Sequence, residues 1–169
     1  MIPPIDLATI PTAPFDPTKA HSQLALLAGA WEGTTTTRFD PSAPAEESRT
    51  RAHVQAILGG RFLRIQYTGT VSGAAHAGEM LFAYEKDEQR YSLAWVDSFH
   101  TGTALMHSTG DVTAPDGPIS VLGSYGAGGQ RWGWRTTLHA SPERLVLEAF
   151  NVAPDGQEDP AVKTVLERA

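Results

Sequence analysis

The stretch LALLAGAWEGTTTT, Leu24–Thr37, decides the fold because the type of sequence pattern changes within it. Up to this point, the segment 16–29 (DPTKAHSQLALLAG) places apolar residues at helical spacing, and Gly29 suits a helix end. Beyond it, Trp31 and Gly33 lead into four threonines, which are β-branched and favour strands. The stretch predicts one short N-terminal helix that passes directly into a first strand.

Segments rich in threonine, valine and aromatic residues follow, and short turn clusters separate them. Turns of this length join antiparallel strands, and they leave no room for the crossover helices that parallel strands need. Closing such a meander into a barrel removes its exposed edges. The sequence therefore predicts an all-β protein, an antiparallel up-and-down β-barrel of about ten strands. The predicted strands are 30–39, 49–58, 61–71, 75–85, 90–99, 103–112, 118–126, 131–140, 144–153 and 160–168.

The length of 169 residues favours one domain, which we place at 18–169, after a proline-rich arm at 1–17. A net charge of -6 and the lack of any lysine- or arginine-rich run argue against a nucleic acid or an anionic membrane as partner. The chain has no cysteine, which excludes disulfides and thiolate metal sites and fits a reducing compartment. The N-terminus resembles neither a signal peptide nor a membrane span. We therefore expect a cytoplasmic protein.

Several strands are mixed on both faces, which is typical of a barrel whose interior is partly polar. Trp95 and Asp97 share one face, and Arg64 and Gln66 share another. An arginine could hold a ligand carboxylate in bidentate geometry, or it could pair with a carboxylate of the protein itself. Strand alternation alone leaves open which face points inward. The predicted ligand-binding residues are Arg64, Gln66, Tyr67, Trp95, Asp97, His107, Trp134 and Arg135.

The six histidines form neither an HxH nor an HExxH motif, so no metal site is predicted, although ligands from distant strands stay open. The chain also lacks a GxSxG nucleophile motif. Asp97 with His100 or His107 would form an acid–base dyad if the next strand folded back beside it. We expect ligand binding without catalysis.

Three segments carry a resemblance to a known family: LLAGAWEGT, ILGGRFLRIQYTG and LFAYEKDEQRYSLAWVDSFHTG. In this order they resemble domain-of-unknown-function family 1579 of bacteria, from about Leu24 to the C-terminus. That family is similar to the lipocalin-like calycin barrels, which hold small, mostly apolar ligands. The resemblance implies a small apolar or amphipathic molecule as partner. It also implies that Trp31, with Gly29 and Gly33, plugs the closed end of the barrel.

A weaker resemblance is to the nitrobindins, which are haem-carrying ten-stranded barrels that also open on a glycine–tryptophan–glycine segment. In this chain threonines follow Gly33 where nitrobindins continue with alternating glycines. The resemblance implies an alternative in which the barrel binds haem and acts on nitrogen oxides or peroxides; the main prediction has no cofactor. Any one of the six histidines could be the axial ligand of a haem, and His139 is favoured because it lies late in the barrel, after a strand with two tryptophans. A third alternative is a filled barrel with a structural role, assembled as a homodimer through the arm or a sheet face.

Overall fold

The protein folds into a closed barrel of ten antiparallel strands. A computed structural model describes Leu24, residues 26–114 and residues 117–169. All ten strands predicted from the sequence are present, with ends that differ by at most three residues. They are β1 (Gly29–Thr37), β2 (Glu46–Ile57), β3 (Phe62–Val71), β4 (Ala74–Glu85), β5 (Arg90–Asp97), β6 (Met106–Asp111), β7 (Ile119–Ala127), β8 (Gln130–Ala140), β9 (Arg144–Val152) and β10 (Glu158–Arg168).

Consecutive strands pair along the whole barrel, and β1 closes it by pairing with β10 as well as β2. Gly33, for example, lies opposite Leu166 of β10 and Thr50 of β2. The register of β10 against β9 shifts between Pro160 and Val162, where proline has no N–H to donate to the ladder. The predicted antiparallel up-and-down barrel is confirmed.

The proline-rich arm and nearly all of the predicted N-terminal helix lie outside the described residues. Of that helix, Leu24 has helical conformation, and Leu26 and Leu27 form a turn. Within the part of the chain that the structure describes, no helix has the length and apolar character needed to cross a membrane.

One end of the barrel, called here the closed end, is covered by the segment that precedes β1. Trp31 is buried there, and its indole Nε1 donates a hydrogen bond to the Leu27 carbonyl at 2.8 Å. The Arg168 guanidinium lies 4.5 Å from the centre of the Trp31 ring and donates to the carbonyls of Ala28 and Leu26. At Gly33 a Cβ atom would collide with the backbone carbonyl of the facing strand β10, so glycine permits this close approach.

The opposite end, called here the mouth, has a more polar interior. Buried polar side chains occur among the inward-facing residues, and Thr35 hydrogen-bonds to both Thr50 at 2.6 Å and Thr164 at 2.8 Å. The interior is therefore partly polar, as the mixed strand faces indicated. The buried polar residues are Thr37, Thr50, Asp97, Ser108 and Thr136.

Candidate functional site

Two adjoining spaces lie in the barrel interior and at its mouth. An interior cavity of about 60 Å³ lies among the strands, and a groove of about 710 Å³ lies outside it. Thr37, Trp95, His100 and Trp134 line both spaces. These four residues therefore form the boundary between the cavity and the groove.

The boundary is mainly aromatic. Trp95 and Trp134 stack with ring centroids 5.4 Å apart, and the His100 ring lies 5.6 Å from each of them. Both tryptophans are buried, although their rings contribute to the walls of the groove. Stacked rings with offset faces attract each other beyond the gain from burial alone. We refer to Trp95, Trp134 and His100 as the aromatic floor of the groove.

Asp97 fixes the loop between β5 and β6, which carries part of this floor. Its Oδ1 accepts hydrogen bonds from the backbone N–H groups of Phe99 at 3.0 Å, His100 at 2.5 Å and Thr101 at 3.1 Å. The Thr101 hydroxyl accepts a bond from the Asp97 N–H and donates one to the Asp97 carbonyl. Aspartate side chains commonly stabilise turns by bonding to N–H groups a few residues ahead. The position of His100 is therefore set by Asp97.

The second carboxylate oxygen of Asp97 is the centre of a buried polar network. Asp97 Oδ2 lies 2.7 Å from His100 Nδ1 and 3.0 Å from His76 Nε2, and it accepts a bond from the Tyr67 hydroxyl at 3.3 Å. Trp95 Nε1 in turn donates to the Tyr67 hydroxyl at 2.8 Å. The Asp97 side chain has 0% exposure, against 12% for His76 and 17% for His100. The network therefore connects a fully buried carboxylate to two imidazoles that reach the cavity surface.

The environment fixes the charge states of Asp97 and Tyr67. Burial disfavours the charged form of Asp97, but hydrogen bonds from His100 and His76 outweigh it and hold the pKa of Asp97 well below its usual range. Burial, together with the negative charge of Asp97, raises the pKa of Tyr67 far above its usual value. At neutral pH Asp97 is an anion, and Tyr67 is a neutral hydrogen-bond donor.

A glycine makes room for this network. Gly78 of β4 lies in register between Tyr67 of β3 and Asp97 of β5. A Cβ atom at Gly78 would stand 2.7 Å from Asp97 Cβ and would collide with the Tyr67 hydroxyl. The two side chains can meet across β4 only because this position has no side chain.

Four of the residues predicted to bind a ligand face the interior. Tyr67, Trp95, Asp97 and Trp134 all line the cavity, and hydrogen bonds or ring stacking join them to one another or to His100. Asp97 does pair with His100, one of the two histidines considered for a dyad. The sequence interpretation missed His76, which strand alternation places on the same face as Gly78 and Met80.

The other four predicted residues lie on the outer face and do not line the cavity. Arg64 makes a bidentate ion pair with Glu79 at 2.8 Å, and Gln66 Nε2 also donates to Glu79 at 3.2 Å. Side chains alternate along β3, so the burial of the apolar face, Leu63 and Ile65, turns Arg64 and Gln66 outward.

The side chains of Arg135 and His107 also point outward because of strand alternation. Arg135 pairs with Glu158 at 2.7 Å and flanks the buried Trp134. His107 is exposed and lies in register with Ala94, so it is not the partner of Asp97. Arg135, like Arg64, pairs with a carboxylate of the protein, which is the alternative that the sequence left open.

His139, the proposed haem ligand, also lies on the outer face. Its side chain is about half exposed, and its Nε2 is 3.8 Å from Glu148 Oε2. It does not reach the interior. The cavity of about 60 Å³ is also far below the roughly 300–1,000 Å³ of typical cofactor sites. The described residues therefore do not fit a haem held inside the barrel by His139.

Comparison with known proteins identifies one family and several solved structures with a similar fold. The sequence profile of a family described as "protein of unknown function (DUF1579)" matches residues 16–168. The crystal structure of Rv2717c from M. tuberculosis is similar, with a TM-score of 0.60 and 17% identity over 94% of this chain and 99% of that chain. At this identity the likeness concerns the fold alone. Among curated proteins, no relative matches the sequence.

Proposed function

The chain belongs to the DUF1579 family of proteins of unknown function, as its sequence resemblance indicated, and we propose that it binds a small amphipathic molecule at the mouth of its barrel. The observation that carries the proposal is the groove of about 710 Å³ above the aromatic floor. Small-molecule sites are concave, mostly apolar and roughly 300–1,000 Å³ in volume. The interior cavity of about 60 Å³ is too small for such a molecule, which supports the groove, and not the barrel interior, as the proposed binding region.

Apolar side chains exposed at the rim support an apolar portion in the ligand. Phe39, Phe99 and Leu105 line the groove, and they are 52%, 48% and 66% exposed. The Phe39 and Phe99 rings meet edge to face with centroids 5.7 Å apart, although they come from different loops. Apolar surface left in water costs about 25 cal/mol per Å² relative to burial. A hydrocarbon chain lying across the aromatic floor would cover this surface.

The charges around the groove support an anionic group in the ligand. Arg38 and Arg131 line it, whereas none of its described lining residues is an aspartate or glutamate. This local balance is opposite in sign to the net charge of -6 of the whole chain. Guanidinium groups bind carboxylates and phosphates in bidentate geometry. Anchoring of a ligand carboxylate by arginine was one of two roles that the sequence left open, and in this proposal Arg38 and Arg131 have that role instead of Arg64 and Arg135.

The experiment compares a fluorescent fatty acid with its uncharged methyl ester. The double variant Arg38→Ala/Arg131→Ala should bind the acid about tenfold more weakly, a loss of roughly 1.4 kcal/mol for charge-assisted contacts. Binding of the ester should change little. The matched control is Arg49→Ala/Arg51→Ala, two exposed arginines of β2 that do not line the groove. Equal binding of the acid by both double variants would remove the anionic group from the proposal, and absence of binding by the wild type would refute the proposed function.

A further inference from the structure

The Asp97 network has the composition of a metal site. Within the described residues, His76, Asp97 and His100 each offer one donor atom within 4.8 Å of the others. Two imidazole nitrogens and one carboxylate oxygen form a donor set that suits Zn²⁺ and related divalent transition ions. We infer that His76, Asp97 and His100 bind one such ion at the mouth end of the interior cavity. This inference does not depend on the proposed amphipathic ligand.

The carboxylate is held as an oriented ligand would be. Three backbone N–H groups of the β5–β6 loop occupy Asp97 Oδ1, which leaves Oδ2 to face both imidazoles. Groups that hydrogen-bond to a metal ligand in this way fix the orientation of that ligand. The remaining partner of Oδ2 is the Tyr67 hydroxyl, itself held by Trp95. Tyr67 is therefore placed to hold the ligand oxygen through its hydroxyl.

The donor spacing suits a small adjustment to coordination. Asp97 Oδ2 lies 2.7 Å from His100 Nδ1 and 3.0 Å from His76 Nε2. Bonds of about 2.0–2.1 Å to a tetrahedral ion place neighbouring donors about 3.3–3.4 Å apart, so these two pairs would open by roughly 0.3–0.7 Å. His76 and His100 are slightly exposed, so neither imidazole is fully enclosed by protein.

A second observation points to an acceptor in the same cavity. Trp134 Nε1 and Thr136 Oγ1 are buried and have no hydrogen-bond partner among the described residues, and both residues line the cavity. An unpaired buried donor costs about 1–3 kcal/mol. A water or anion in the open coordination position would occupy the cavity of about 60 Å³, and it could accept from these groups. A site with three protein ligands and one open position is the usual arrangement of a reactive zinc centre.

The test is a calorimetric titration of chelator-treated protein with ZnCl₂. The wild type should bind one Zn²⁺ per chain with micromolar affinity or better. His76→Ala and His100→Ala should each weaken binding by about 100-fold or more, because loss of an outer-sphere partner alone costs 10–100-fold. The control is His139→Ala, since His139 faces outward beside Glu148, and it should bind as the wild type does.

Co²⁺ provides a readout that does not rely on a variant remaining folded. The wild-type protein with one equivalent of Co²⁺ should show the visible absorption bands of a four- or five-coordinate ion, and excess Zn²⁺ should remove them. Circular dichroism of each variant shows whether the barrel is intact. Absence of Zn²⁺ binding by the wild type, or unchanged affinity in folded His76→Ala and His100→Ala proteins, would overturn the inference.

Discussion

Tyr67 and Asp97 lie on either side of Gly78, in register across three adjacent strands, and the Tyr67 hydroxyl donates to Asp97 Oδ2 at 3.3 Å. This row of three residues, Tyr67, Gly78 and Asp97, connects the fold to the site. The pairing of β3, β4 and β5 brings the two side chains to the same height in the barrel, and the glycine between them lets them meet. From there the network extends to His76, His100 and Trp95, and so to the aromatic floor.

Gly78→Ala should destabilise the protein by about 1–3 kcal/mol, because the added methyl group overpacks the space between Tyr67 and Asp97. Urea denaturation measures the loss. Gly126→Ala is the matched control, because a Cβ atom at Gly126 meets nothing within 4 Å, and its stability should stay within about 0.5 kcal/mol of the wild type. Equal stability of the two variants would show that Gly78 is not required by this packing.

Asp97→Ala should cost about 3–5 kcal/mol, because it removes a fully buried anion and leaves its N–H and imidazole donors without their acceptor. Glu79→Ala is the comparison. The Glu79 carboxylate also makes short hydrogen bonds, but it lies on the outer face and its side chain is 38% exposed. Exposed ion pairs contribute about 1 kcal/mol or less. Equilibrium unfolding should therefore separate the two variants by at least about 2 kcal/mol; comparable losses would contradict the structural role given to Asp97.

Arg168→Ala should destabilise the closed end by about 1–2 kcal/mol. The change removes a cation–π contact with Trp31 and hydrogen bonds to the carbonyls of Leu26, Ala28 and Pro142. Arg51→Ala is the comparison, since its 80% exposed side chain only approaches Glu32 at 4.0 Å. Thermal unfolding followed by tryptophan fluorescence measures both. If Arg51→Ala is as damaging as Arg168→Ala, Arg168 does not hold this segment in place.

Phe99→Ser should weaken binding of an amphipathic probe about tenfold, because it removes apolar contact at the groove rim. The matched change is Leu122→Ser, which removes an apolar side chain of similar exposure, 41% against 48%, outside the groove. Leu122→Ser should bind the probe like the wild type. Probe affinity that falls equally in both variants would indicate binding to apolar surface in general and not to the groove.

The sequence predicted the barrel well because its signals are local. Hairpin-length turns and β-rich segments recur along the chain, and each strand could be placed without knowledge of its partners. The inward face was harder to predict. In β3 the apolar residues Leu63 and Ile65 mark the face that points inward. Arg64 was nevertheless predicted to bind the ligand because arginine can anchor a carboxylate, and it lies on the opposite face.

The site itself depended on information that one strand does not carry. Asp97 and His100 are three residues apart, so their pairing could be predicted from the sequence. His76 joins them only through the register of β4 against β5, where Gly78 lies opposite Asp97. Arg38 and Arg131 lie beyond or at the ends of strands, so strand alternation alone gave no reason to place them at the mouth.

The most direct test of amphipathic binding at the mouth is energy transfer from tryptophan to a bound polyene fatty acid. The wild-type protein should show saturable transfer, with one probe per chain and micromolar affinity, and an unlabelled fatty acid should displace it. Trp134→Phe should reduce the transfer more than Trp31→Phe, because Trp134 lines the groove whereas Trp31 lies at the closed end. Absence of saturable transfer in the wild type, or a larger loss with Trp31→Phe, would contradict binding at the mouth.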